Sequence, residues 1–176
     1  MRIEPGGEAA VVIQTSDEGE TRALAARLGA GFVGGEIVGL RGDLGAGKTV
    51  FVQGLARGLG SDDPVTSPTF VIVHQYHGRL TLFHVDLYRL EGEQVEGLGL
   101  DELIAPDTVV AVEWSDRLPA RLRRRLWLEI AMEFGGREHE RKLRISTAAG
   151  ATTELSDRVA AALGRDDPAA GPAETT

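Results

Sequence analysis

Gly42, Gly47, Lys48 and Thr49 stand in the spacing G-x-x-x-x-G-K-T, the group of residues in this chain with the most definite chemistry. Glycines at these places let backbone N–H groups wrap a phosphate, the lysine reaches its outer oxygens, and the threonine hydroxyl offers a ligand to Mg2+. The chain's own composition makes such a match a chance event expected only about 0.003 times. Lysine is also rare here, with only Lys48 and Lys142 among 19 basic residues, so its presence at this position carries weight. A compact ammonium suits a phosphate cradle better than a planar guanidinium fork.

Carboxylates are the second requirement of phosphate chemistry, and two strands offer them. Residues 108–113 form an apolar run that ends in Glu113, placed to help hold a metal ion although aspartate is commoner there; an acid at a strand end facing water fits the same pattern. In residues 80–89, a period of two puts His84, Asp86 and Tyr88 on one strand face. That face is either part of a site, with Asp86 orienting a water or touching the metal shell, or a solvent face with a satisfied histidine. Thr66, Ser67 and Thr69 lie in a proline-punctuated loop that is either a switch sensing the γ-phosphate or a plain turn. Arg117, Arg121, Arg123, Arg124 and Arg125 form the basic cluster, which fits a lid, a surface for RNA or an acidic partner, or a solvated face.

A cradle of this kind needs a strand behind it and a helix N-terminus in front. Residues 36–41 read as the strand, and Val52, Leu55, Ala56 and Leu59 make the apolar stripe of a helix that Gly60 ends. Before them come a β-like run over 9–14 and a helix opened by Ser16, Asp17 and Glu18. After them the pattern predicts strands over 70–77 and 80–88, short helices over 91–104, strands over 125–134 and 141–146, and a helix over 153–163. This order implies an α/β single-domain P-loop NTPase fold, with a central, mostly parallel mixed sheet flanked by helices and the nucleotide at the carboxyl ends of the strands. At 176 residues and 42% apolar content, one domain over residues 1–164 is expected, with a disordered tail over 165–176 where large apolar residues are missing.

Composition excludes several classes. The chain has no cysteine, hence no disulfide, thiolate zinc site or cysteine nucleophile. A net charge of −8 argues against a broad nucleic-acid-binding face, so RNA contact is expected to be local or carried by a partner. No apolar run is long enough for a membrane span and the first ten residues lack a secretory apolar stretch, so a soluble, cytoplasmic protein without membrane contact is expected. Asparagine is absent and no D-x-x-G occurs, which rules out the Asn-Lys-x-Asp guanine reader.

Together, Gly42-Asp43-Leu44-Gly45-Ala46-Gly47-Lys48-Thr49, Ser67-Pro68-Thr69-Phe70, His84-Val85-Asp86-Leu87-Tyr88-Arg89-Leu90 and Val112-Glu113-Trp114 resemble the TsaE family of bacterial ATPases over roughly residues 10–147. The resemblance implies ATP and Mg2+ as cofactors and slow ATP hydrolysis. It implies a part in forming threonylcarbamoyladenosine beside the tRNA anticodon with TsaD-like and TsaB-like partners, the tRNA being met through the complex. It further implies that Gly42, Gly45, Ala46, Gly47, Lys48, Thr49 and Val50 cradle the nucleotide, that Thr49 and Glu113 hold the metal, and that Asp86, with Lys48 and Glu113, is needed for turnover. Trp114 would sit beside the nucleotide, with Glu18, Asp116 and Arg137 as further contacts. The alternative from residues alone is a small-molecule kinase whose arginine cluster clamps an acidic acceptor.

Overall fold

The computed structural model describes residues 1–5, 10–66, 72–147 and 161. Eight strands make one sheet: β1 (Arg2–Pro5), β2 (Ala10–Thr15), β3 (Ile37–Arg41), β4 (Val73–Tyr76), β5 (Thr81–Asp86), β6 (Thr108–Glu113), β7 (Leu128–Phe134) and β8 (Arg141–Thr147), in the order β1-β2-β8-β7-β3-β6-β5-β4. Its four central strands, β7, β3, β6 and β5, run parallel, while β4 on one side and β8, β2 and β1 on the other pair antiparallel. The expected mixed sheet flanked by helices is thus found, with its parallel part confined to the centre.

Alternation across the central strands explains why they read as unbroken apolar runs. In β6, Val109 and Ala111 face a core shared with α1 (Glu18–Ala30) and α2 (Lys48–Gly58), whereas Val110 and Val112 face a second core with Val95 of α3 (Glu93–Glu96) and Leu122 of α4 (Ala120–Arg123). Both faces are covered, so every residue of β6 is buried, Glu113 included. The same period puts Leu82 of β5 on the α2 side and Val85 on the other, which aims His84 and Asp86 toward α2.

Local chemistry sets the helix ends. Asp17 caps α1 by accepting the Glu20 N–H at 2.8 Å, with Glu18 and Glu20 in the first turn complementing the dipole. At the end of α2, the amides of Gly60 and Ser61 fold back on the carbonyls of Arg57 and Ala56 at 3.0 Å each, closing the helix where Gly60 predicted.

Several boundaries shift. β7 begins at Leu128 rather than 125, because Pro119 starts the turn of α4 and the Arg124 and Arg125 amides bond back to Ala120 and Leu122. β5 ends at Asp86, so Tyr88 lies past the strand rather than on its face. Residues 91–104 hold α3 and a 3-10 turn over Leu100–Leu103. β1 has no counterpart in the expectations, its four residues being too few to show a period. Ser67 and Thr69, the expected tail, and the expected helix over 153–163 apart from Ala161 lie outside the described residues.

Helices α1 and α2 pack closely because glycines face the contact. A Cβ built on Gly54 would stand 2.4 Å from the Arg22 carbonyl oxygen and 2.6 Å from the Ala25 Cβ. Alanine is favoured over glycine in a helix by about 1 kcal/mol, yet overpacking against backbone costs about 1–3 kcal/mol. Gly54→Ala is therefore expected to lower stability, read as a lower urea midpoint with an unchanged denaturant slope.

Candidate functional site

At the carboxyl ends of β3, β5 and β6 lies a cavity of about 410 Å3. Glu18 and Thr21 of α1, the loop residues Leu44, Gly45 and Gly47, and Lys48, Thr49 and Val50 of α2 line one side. Asp86, Tyr88, Arg89, Leu90, Glu113 and Trp114 line another, with Ile72, His139 and Arg141 completing the wall. Gly47 stands at the N-cap of α2 with φ of 101°, a left-handed conformation that glycine adopts without strain. Among the described residues no side chain caps α2, and the first amide bonded in the helix is that of Phe51, to Gly47 at 2.9 Å. The N–H groups of Lys48, Thr49 and Val50 thus stand at the cavity without a capping side chain, where the helix dipole favours an anion.

Two cations hold the loop by its carbonyls. Lys48 Nζ donates to the carbonyls of Gly42 at 2.7 Å and Asp43 at 2.8 Å, while Arg141 donates through Nε to Ala46 at 3.1 Å and through a terminal nitrogen to Gly45 at 3.2 Å. The Lys48 ammonium also sits 4.0 Å from the centroid of the Trp114 ring, a cation–π contact. Burial pushes the Lys48 pKa down, opposed by the carboxylates of Glu113, Asp86, Asp43 and Asp116.

The strand register brings the acids together. Asp86 pairs across from Glu113 in the parallel β5–β6 ladder, and Leu40 of β3 pairs with Glu113 on its other side. Glu113 Oε1 accepts from Thr49 Oγ1 at 2.8 Å and lies 2.9 Å from His84 Nε2. An ionised carboxylate only accepts, so this bond assigns a proton to Nε2; His84 is fully buried, and its Nδ1 has no hydrogen-bond partner among the described residues. His84 is therefore part of the site rather than a solvent-facing residue. Burial pushes the Asp86 carboxyl up, the Tyr88 N–H bonded to its Oδ1 at 2.9 Å opposes this, and the Glu113 charge adds to the rise.

Trp114 is the one non-glycine residue with positive φ among those described, at 61°. A bulky residue in this conformation costs on the order of 1–3 kcal/mol and persists only where its surroundings hold it. The Tyr88 ring lies 5.0 Å away, and the Arg117 guanidinium lies 5.4 Å from the Trp114 ring.

Residues toward a metal fit the nucleotide-bound form of a site better than a free cage. Among the described residues no group of three or more His, Cys, Asp or Glu could hold a metal. The Thr49 hydroxyl and the Glu113 carboxylate, with Asp86 beside them, suit Mg2+, which keeps waters and shares phosphate oxygens instead of taking an all-protein cage.

The profile of the family described as "Threonylcarbamoyl adenosine biosynthesis protein TsaE" matches residues 15–143. The chain belongs to the TsaE family. It is 41% identical over 143 residues to the tRNA threonylcarbamoyladenosine biosynthesis protein TsaE of Bacillus subtilis, covering 81% of this chain and 88% of that protein. It is 44% identical over 111 residues to the Nostoc protein of the same name, covering 59% and 67%. The crystal structure of Bacillus subtilis YdiB superposes with a TM-score of 0.68 at 30% identity, covering 92% of this chain and 97% of that one.

Of the residues singled out in this TsaE-family sequence, the cavity gathers Glu18, Gly45, Gly47, Lys48, Thr49, Val50, Asp86, Glu113 and Trp114. Ala46 is buried beneath the loop. Gly42 and Asp116 line a neighbouring cavity of about 360 Å3 with Arg41, Asp43 and Arg144, and Trp114 borders both. Arg137 is exposed and its guanidinium lies 3.7 Å from Glu140, so it is Arg141 that reaches the phosphate loop from this turn. Thr66 is exposed and does not line the cavity. Sequence reasoning missed His139 and Arg141, which have no local pattern; Arg141 meets Ala46 of the loop across 95 positions.

Because the folded-state pKa of Asp86 lies above its unfolded value, its contribution to stability is intact at acid pH and is lost as pH rises through the folded value. Asp86→Asn retains the amide-accepting oxygen and removes the charge. Thermal melts of the variant without nucleotide or divalent cation are expected to show a higher midpoint than wild type at pH 7, and the difference should vanish near pH 3.

Proposed function

We propose that this chain is a Mg2+-dependent ATP-binding protein and slow ATPase of the cytoplasm, working with TsaD-like and TsaB-like partners in the formation of threonylcarbamoyladenosine beside the tRNA anticodon. The observation that carries this reading is the meeting, in one cavity, of an uncapped helix N-terminus with Lys48, Thr49, Asp86 and Glu113. The coarser part, a TsaE-family role in tRNA threonylcarbamoyladenosine biosynthesis, follows from family membership.

Each role follows from what the side chain touches. The amides at the start of α2 bind phosphate oxygens, and Lys48 leaves the Gly42 and Asp43 carbonyls to meet the same charge. Mg2+ supplies charge neutralisation for the phosphates. Thr49 and Glu113 hold it, and His84 fixes the Glu113 carboxylate so that its orientation does not depend on solvent. Asp86, pushed up by burial, orients the attacking water and accepts its proton more readily than an ordinary carboxylate. Trp114 walls the cavity and excludes water beside Lys48.

The kinase reading loses its support because Arg121, Arg123 and Arg125 are engaged elsewhere and Arg117 meets the cavity wall only from behind, through Tyr88, Leu90 and Trp114. Arg121 and Arg125 pair with Asp101, Arg123 donates to the carbonyls of Asp116 and Leu118, and no residue of the cluster lines the cavity wall. The Arg121 hydrogen bond holds the Asp101 carboxyl below the usual range.

Phosphate release is to be measured for the chain alone, with the two partner proteins, and with tRNA added. Stimulation by the partners is expected. Lys48→Ala and Asp86→Ala should each reduce that stimulated rate by about 100-fold or more and stall tRNA modification beyond a first round. Unimpaired multiple-turnover modification by either variant would defeat the proposal, and label passing from ATP to a small metabolite would favour a kinase.

A further inference from the structure

We propose, resting on the ATPase reading above, that Arg117 is a positioning residue: its guanidinium ties the segment after Asp86 to the segment after Glu113, and so holds the two carboxylates at one spacing. Nothing in the glycine loop, the H-x-D strand or the E-W pair assigns it a role. In sequence it reads as the first member of a surface basic cluster.

The geometry is specific. Arg117 lies in the 3-10 turn Ser115–Arg117 that directly follows Trp114, and its side chain is 23% exposed. One terminal nitrogen donates to the carbonyls of Leu87 at 3.1 Å and Leu90 at 3.3 Å, and to that of Tyr88 between them. Those carbonyls belong to the loop that leaves β5 immediately after Asp86. The same guanidinium lies 5.7 Å from the Tyr88 ring and 5.4 Å from the Trp114 ring, and its terminal nitrogen lies 3.9 Å from Glu91.

Three features therefore meet at Arg117. Beyond β5 and β6 the sheet no longer fixes the chain, apart from one amide bond from Leu87 to the Glu113 carbonyl at 3.2 Å. Past that point Arg117 spans the two segments, one terminal nitrogen being shared among three carbonyls. Trp114 holds an unfavourable backbone conformation between them, and its ring lies against the tilted Tyr88 ring and the Arg117 guanidinium. Because Trp114 also carries the Lys48 ammonium on its ring, the tie reaches the phosphate loop as well.

A lysine at this position retains the charge but lacks the guanidinium plane that lies beside the Tyr88 and Trp114 rings, which separates positioning from simple electrostatics. The test compares the full-length wild type with Arg117→Lys and Arg117→Ala. Hydrogen exchange without nucleotide reads the tie through the loop it holds, where the Tyr88 amide donates to Asp86 Oδ1 and the Leu90 amide to the Leu87 carbonyl. The Tyr88 and Leu90 amides should exchange about tenfold faster in both variants, as expected for losing bonds from a charged donor, while α1 amides stay unchanged. Calorimetry with ATP and Mg2+ should give a dissociation constant within about threefold of wild type, whereas partner-stimulated turnover falls about tenfold or more, the split expected when reacting groups are misplaced and the cradle is intact.

Unchanged exchange at Tyr88 and Leu90 overturns the tie. Faster exchange with wild-type turnover overturns the positioning role and leaves a purely structural contact. Should Arg117→Ala fail to fold, Arg117→Lys carries both measurements. A wild type that neither binds nor hydrolyses ATP with its partners removes the ATPase reading and the positioning role with it, an outcome visible before any variant is made.

Discussion

Parallel pairing of β5 with β6 in a single register is the constraint on which the site depends. It sets Asp86 opposite Glu113, and the pleat then sends both, with His84, toward the N-terminal end of α2. A slip of β5 by one residue would turn His84 and Asp86 to the far face of the sheet, away from Glu113, and bring Phe83 and Val85 into their places. The apolar residues that alternate with them are buried against α3 and α4, so the register is enforced by the second core. Packing on the side away from the chemistry thus decides where the chemistry stands.

The site itself is electrically expensive. Lys48, Asp86, Glu113 and His84 are gathered where burial disfavours charge, and the shifts of Lys48 and Asp86 both run toward their neutral forms. Pairing limits the cost without removing it. Glu113 takes two hydrogen bonds on one oxygen, and Lys48 rests on carbonyls and an aromatic face. A pre-arranged set of this kind gains its full partners only when an anion enters the cavity, which favours binding over the stability of the free chain.

The phosphate loop, its strand, its helix and the acid-bearing strands were legible because each has a periodic or spaced local pattern. Glu113 could be placed from an apolar run, and Gly60 from its stop signal. What was not legible depends on contacts far apart in sequence. Nothing near Arg141 shows that it grips Gly45 and Ala46, and nothing near Arg117 separates it from Arg121 and Arg125, whose partner is an exposed aspartate. His84 and Tyr88 illustrate the same limit: period two set their strand face, but only the packed neighbours show that one is buried on Glu113 and the other lies past the strand end. The left-handed backbone of Trp114 has no composition signal at all, since glycine or asparagine would be the usual occupant.

The cavity draws its walls from Glu18 through to Arg141, and its central strands pair only across long stretches of chain. Such contacts close late and slowly in folding, after local pieces such as the β7–β8 hairpin. During synthesis, a ribosome must therefore release the chain through Arg141 before the walls of this cavity can be complete. A nascent fragment that carries the whole glycine loop and its helix has only one side of the cavity.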